Sequence, residues 1–87
     1  MNLNEIQARL GELKDWELKF DSLEKEFLFK STTEAKIFIN KIYETSEKLA
    51  HFPIIIADRL IVKLTLSTRN EGIGEKDFKL ANEIDKI

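Results

Sequence analysis

One side chain stands where acid/base chemistry could be done. His51, the only histidine, follows Glu47 by four residues, so on a helix the two share a face. A carboxylate beside an imidazole favours the protonated ring and fixes its orientation. Such a pair can give and take protons near neutral pH. The same spacing is also ordinary helix-surface chemistry, and a histidine in a last helical turn interacts well with the helix dipole. Phe52 and Pro53 follow, then Ile54-Ile55-Ile56, so residues 47–53 lie where a helical pattern hands over to a strand. Further on, Arg69 could hold an anion or the polar edge of a ring. Asp77 could serve a site, or could only favour the positive end of a helix. Trp16 and Phe52 carry flat faces able to stack on a heterocycle, although Trp16 fits a core position better.

Other chemistries find little here. Cysteine is absent, which excludes disulfides and thiol catalysis, and a lone histidine argues against a structural zinc site. Charged residues are 34% of the 87, with interspersed signs and a net charge of -2. Nucleic-acid binding needs clustered positive charge, so it is not expected. Gly72 and Gly74 are not followed by the Lys-Ser/Thr of a phosphate loop. No apolar run approaches membrane-spanning length and no signal-like start is present, so a cytoplasmic protein is expected. The length suits one domain, residues 1–87, with a modest core to which oligomerisation would add burial.

The elements that must position these residues follow from periodicity. Leu3, Ile6, Leu10 and Leu13 predict a helix over residues 3 to 13, with Gly11 weakening its last turn. Trp16, Leu18 and Phe20 alternate, as do Leu23, Phe27 and Phe29, around an Asp21-Ser22 turn. This predicts a hairpin with one buried face. Lys25 interrupts that face, so part of the strand is expected at an edge. Ser31-Thr32-Thr33-Glu34 fits a capping box for a helix to about Ala50. Ala35, Phe38, Ile39, Ile42, Ser46 and Leu49 form its apolar stripe. Ile37 and Tyr43 lie off that stripe and suggest a second subunit against the helix. Pro53 ends the pattern. Residues 54–57 read as a strand buried on both faces, and Asp58-Arg59 as a turn. Leu60, Val62, Leu64 and Leu66 give the second hairpin arm. Gly74 can cap a last helix carrying Phe78, Leu80, Ala81, Ile84 and Ile87. The order α-β-β-α-β-β-α predicts an α+β fold, a four-stranded antiparallel sheet with helices packed on one face.

Over nearly its whole length the chain resembles the pterin-4a-carbinolamine dehydratases, also called the dimerisation-cofactor family. Leu13-Lys14-Asp15-Trp16 is similar to the family's Leu-x-x-Trp start, and Glu26-Phe27-Leu28-Phe29-Lys30 to its aromatic second strand. Glu34-Ala35, Phe38 and Asn40-Lys41 match the opening of its long helix. Glu47-Lys48-Leu49-Ala50-His51-Phe52-Pro53 stands against Glu-Lys-x-x-His-His-Pro. Val62 to Thr68 stands against a strand ending in Thr-His. Residues 72–81 stand against Gly-Leu-Thr-Glu-Lys-Asp-x-x-Leu-Ala.

The resemblance implies the same α+β sandwich, assembly as a homodimer or homotetramer, and no metal or organic cofactor. It implies loss of water from 4a-hydroxytetrahydropterin, with a proton delivered to the leaving hydroxyl and one taken from a ring nitrogen. Carried over by position, His51 and Glu47 would be catalytic, and Phe52, Pro53, Arg69 and Asp77 would bind the pterin. The chain departs from the family in two of three histidines. Phe52 stands at the second and Arg69 at the third; phenylalanine moves no proton, and arginine stays charged. The aromatic usually found soon after the proline is absent, and the loop before the last helix is one residue shorter. Two functions therefore stay open: a dehydratase with a reduced site, or a non-catalytic scaffold that binds a protein partner. Relatives of this fold serve as a transcription factor's dimerisation partner and as Rubisco assembly factors.

Overall fold

Two hairpins joined through a long helix make one four-stranded sheet. The structure is a computed structural model that describes residues 1–68 and 70–87; the binding role expected of Arg69 lies outside the described residues. The order is α1 (Leu3–Leu10), β1 (Glu17–Lys19), β2 (Ser22–Leu28), α2 (Thr32–Leu49), β3 (Ile54–Asp58), β4 (Ile61–Leu66) and α3 (Glu75–Ile84). The strands lie in the order β1-β2-β4-β3, all antiparallel. The α+β architecture expected from the sequence is therefore the one observed.

The core lies on one face of the sheet. Val62, Leu64 and Leu66 alternate inward along β4, and Leu23 joins them from β2. Ala35, Phe38 and Ile42 of α2 and Phe78, Leu80, Ala81 and Ile84 of α3 close the other side. Trp16 is a core residue, as its position suggested. Its Nε1–H donates to both carboxylate oxygens of Asp85 at 3.0 Å. Lys25 lies on the inward face but delivers its ammonium to Asp85 (2.9 Å) and the Lys14 carbonyl (2.7 Å). β1 pairs only with Ser22–Glu24, so β2 is open on that side from Lys25 onward. That is the edge position the lysine suggested.

Several local expectations are corrected. α1 stops at Leu10, before Gly11, and starts from an Asn2–Glu5 capping box. Ser31 accepts from the Glu34 N–H at 3.1 Å, but Glu34 reaches the N–H of Lys30 rather than that of Ser31, so the second half of that box is shifted by one. Both hairpin turns also move. Lys19 pairs with Ser22 and Asp58 with Ile61, so the turns are Phe20-Asp21 and Arg59-Leu60. Phe20 and Arg59 take φ of 53° and 54°, a region that non-glycine residues rarely enter. Phe20 is thereby thrown fully into solvent instead of joining Leu18.

β3 is the largest correction. It is an edge strand, not one buried on both faces: Ile54 and Ile56 are 61% and 50% exposed, and only Ile55 packs on the core. β4, not β3, lies beside β2, so the central position goes to the alternating strand. The outward row of Leu28, Ile61, Ile56 and Ile54 is left open to solvent.

The end of α2 decides where His51 goes. Ala50 caps the helix in the left-handed conformation (φ 53°, ψ 39°), and the His51 N–H folds back to the Ser46 carbonyl at 3.1 Å. Glycine takes this conformation without the Cβ clash that burdens alanine. Replacing Ala50 with glycine is expected to stabilise the fold by about 1 kcal/mol. For a domain of this size that is a rise of roughly 4–8 °C in Tm. Calorimetry checks it; an unchanged or lower Tm would contradict the strain.

Candidate active site

His51 leaves the helix at Ala50, and its ring turns away from Glu47. Glu47 is exposed on α2 and makes no hydrogen bond to the ring, so the i,i+4 pair expected from spacing is not formed. A left-handed cap breaks the helical register that the pairing needed. The partner is Asp77 instead: His51 Nε2 lies 2.6 Å from Asp77 Oδ1. The histidine side chain is 14% exposed and the aspartate 0%.

Asp77 is both a helix-start residue and a site residue. It stands in the first turn of α3, and its Oδ2 accepts from the Gly74 N–H at 2.9 Å. Gly74 holds extended backbone there, as a cap requires. The same oxygen accepts from Thr68 Oγ1 at 2.9 Å. Three donors thus converge on one buried carboxylate, from the end of α2, the segment after β4 and the start of α3. A buried carboxylate is tolerable only when it is satisfied in this way.

The arrangement also sorts the two ring nitrogens. A carboxylate oxygen accepts, so Nε2 carries its hydrogen toward Asp77. In the neutral ring the lone pair is then on Nδ1, which has no hydrogen-bond partner among the described residues. A fixed imidazole with one free nitrogen and a partly open edge is a proton acceptor and, once protonated, a donor.

The remaining expected residues lie around this pair. Phe52 is 51% exposed, with its ring 6.2 Å from that of Tyr43 on α2. Pro53 is half-buried and leads into β3. Thr68 went unrecognised in the sequence, where it reads as the polar end of a strand, whereas Gly74 was expected as the cap of α3 and is. The Asp-three-after-Gly spacing at the start of α3 was the available signal. Ser46 Oγ is buried one turn before the cap without a hydrogen-bond partner among the described residues, and nothing in the structure explains it. A concavity of about 420 Å³ opens elsewhere, over Glu17, Lys19, Glu24 and Lys63 on the outward face of the sheet. Four of the charges lining it pair off, Lys19 with Glu17 and Lys63 with Glu24, as on a solvated surface. Among the described residues no group of three or more acidic or histidine side chains is placed to hold a metal ion. Nor is any helix long and apolar enough to cross a membrane.

An open-edged antiparallel sheet under helices, with a histidine–aspartate pair where two helices meet the sheet's end, defines a small α+β domain with an acid/base candidate. The family can be stated directly: the chain belongs to the pterin 4 alpha carbinolamine dehydratase family, whose model matches residues 1–87. A relative from Sulfolobus acidocaldarius that carries a pterin-4-alpha-carbinolamine dehydratase name is 41% identical over 85 residues, covering 97% of this chain and 93% of the relative. One from Sulfurisphaera tokodaii with the same name is 36% identical over 85 residues, covering 95% and 90%. Among solved structures, a transcriptional coactivator/pterin dehydratase from Brucella melitensis superposes with a TM-score of 0.94 at 27% identity, covering 99% of this chain and 95% of that one. A pterin dehydratase-like protein described as a RuBisCO assembly factor of the alpha-carboxysome superposes at 0.69 with 25% identity, covering 82% and 83%.

Proposed function

We propose that this chain removes water from a 4a-hydroxytetrahydropterin, of the tetrahydrobiopterin type, with His51 as the group that moves the proton. The observation that carries the proposal is the 2.6 Å contact between His51 Nε2 and Asp77 Oδ1 in a member of this family. In the reaction the bond from C4a to its hydroxyl oxygen breaks. The oxygen leaves as water with one added proton, and the adjacent ring nitrogen gives one up, so charge and atoms balance. Neutral His51 can take the nitrogen's proton on Nδ1, and the protonated ring can supply the leaving hydroxyl. No metal and no organic cofactor takes part. Phe52 packs against the pterin ring, Pro53 fixes the turn into β3, and Arg69 holds the pterin's polar edge. Glu47 acts through charge, since it lies off the histidine. Asp77 orients the imidazole.

Assembly into a homodimer or homotetramer belongs to the same proposal. Supporting it are the open β3 edge with Ile54 and Ile56 exposed, and Ile37 and Tyr43 exposed on α2. An apolar hollow of about 280 Å³ between Phe29, Ile37, Phe38 and Ile87 adds to them. Exposed edges bearing large apolar side chains are templates for pairing. A cytoplasmic setting is part of the same proposal.

A second reading has its own observation. Phe52, at the family's second histidine position, is an exposed apolar ring, as a protein-binding surface would present. In that reading the chain is a scaffold that docks a partner protein and catalyses nothing. Titration with a reduced pterin lacking the 4a-hydroxyl separates the two. Saturable binding at one pterin per chain, weakened in Phe52→Ala, is expected. Absence of saturable binding would overturn the pterin reading.

A further inference from the structure

The geometry points to Thr68 as a positioning residue for His51: it helps to hold the Asp77 carboxylate against Nε2 of the ring, and so keeps the hydrogen on that nitrogen and the lone pair on Nδ1. The segment between β4 and α3 closes on Thr68. Its N–H donates to the Gly72 carbonyl at 2.6 Å, its carbonyl accepts from the Glu71 N–H at 2.9 Å, and Thr68 and Gly72 form an isolated antiparallel bridge. Gly72, at φ +72°, allows the reversal.

That closure aims Thr68 Oγ1 at Asp77 Oδ2, the oxygen already taken by the Gly74 N–H. One donor would let the carboxylate swing. Two donors on the same oxygen, from different parts of the chain, hold it so that Oδ1 alone is presented to His51. Either carboxylate oxygen only accepts, so the ring keeps its hydrogen on Nε2 and its lone pair on Nδ1 for as long as the carboxylate is held against Nε2. Valine has the threonine's shape without the donor, and serine has the donor without the methyl.

The kinetic consequence rests on the dehydratase reading; the effect on the ring does not. Because His51 is the only histidine, nitrogen NMR of the imidazole reads its tautomer without overlap. At a pH where the ring is neutral, the wild type is expected to hold the Nε2–H form almost alone. In Thr68→Val the Nδ1–H form rises several-fold, toward the proportion in a free imidazole. Thr68→Ser returns it to the wild-type level. In the dehydration assay kcat falls about tenfold in Thr68→Val while KM stays within about twofold, as loss of one hydrogen bond to a charged group implies. Thr68→Ala, which removes the donor without adding bulk, gives the same readout should the valine variant not fold. An unchanged tautomer ratio in the donor-free variants, even with a lowered Tm, would overturn the positioning role. A wild type with no dehydration activity but a Thr68-dependent tautomer would overturn the proposed function and leave the positioning role standing.

Discussion

Asp77→Ala is expected to remove about 3 kcal/mol of stability, since buried donors left without an acceptor cost about 1–3 kcal/mol each. The carboxylate is fully buried and serves three donors: His51 Nε2, Thr68 Oγ1 and the Gly74 N–H. Alanine leaves all three unpaired and unties the start of α3 from the ends of α2 and β4. The total falls at the low end of the sum because the donors are partly buried and water can reach some of them. Against a typical domain stability of about 5–15 kcal/mol this is a large share. Asp77→Asn keeps the volume and one carbonyl oxygen and is expected to lose about half as much. Its amide nitrogen must then face one of the donors. Urea unfolding of the two variants checks this. A loss below about 1 kcal/mol for the alanine variant would show that the network carries little of the fold.

The second large effect is on rate. His51→Gln keeps a donor that can meet Asp77 Oδ1 but cannot move a proton near neutral pH. Its stability is expected to stay close to that of the wild type. Its kcat/KM is expected to fall by about 10²–10⁴, the usual contribution of one positioned acid/base group. His51 is the only histidine of the chain, so no second imidazole can take over the transfer. His51→Ala should lose as much rate and some stability as well, because it also vacates the Asp77 contact. A glutamine variant as fast as the wild type would remove His51 from the mechanism even if the chain is a dehydratase.

The fold was legible because each element carries its own period. β4 alternates cleanly, α2 shows its stripe, and Gly74 with Asp77 announces α3. What escaped was set by backbone conformations that side-chain type does not announce. Phe20 and Arg59 at positive φ moved both turns by one residue. Ala50 in the left-handed region took His51 off the face it would have shared with Glu47. The three isoleucines of β3 read the same for a buried strand and for an edge left bare, because periodicity reports apolar faces and not what covers them.

Of the candidate site, His51 and Asp77 were both singled out, but as separate residues 26 apart. Their meeting depends on how the end of α2 packs against the start of α3, which no local pattern encodes. Thr68 was missed for the same reason. Its partner lies beyond a loop, and as a sequence signal it is only one more threonine at the end of a strand. Phe52 was legible as a departure from the family pattern, and the structure adds that its ring is half exposed beside Tyr43.

The central claim is that this reduced site still catalyses. Stopped-flow dehydration of 4a-hydroxytetrahydropterin, generated in the mixing cell, measures it directly. The wild-type chain should accelerate the loss of water in proportion to its concentration, and the acceleration should vanish in His51→Gln. A wild-type rate equal to the spontaneous one would contradict the claim and leave the scaffold reading in its place.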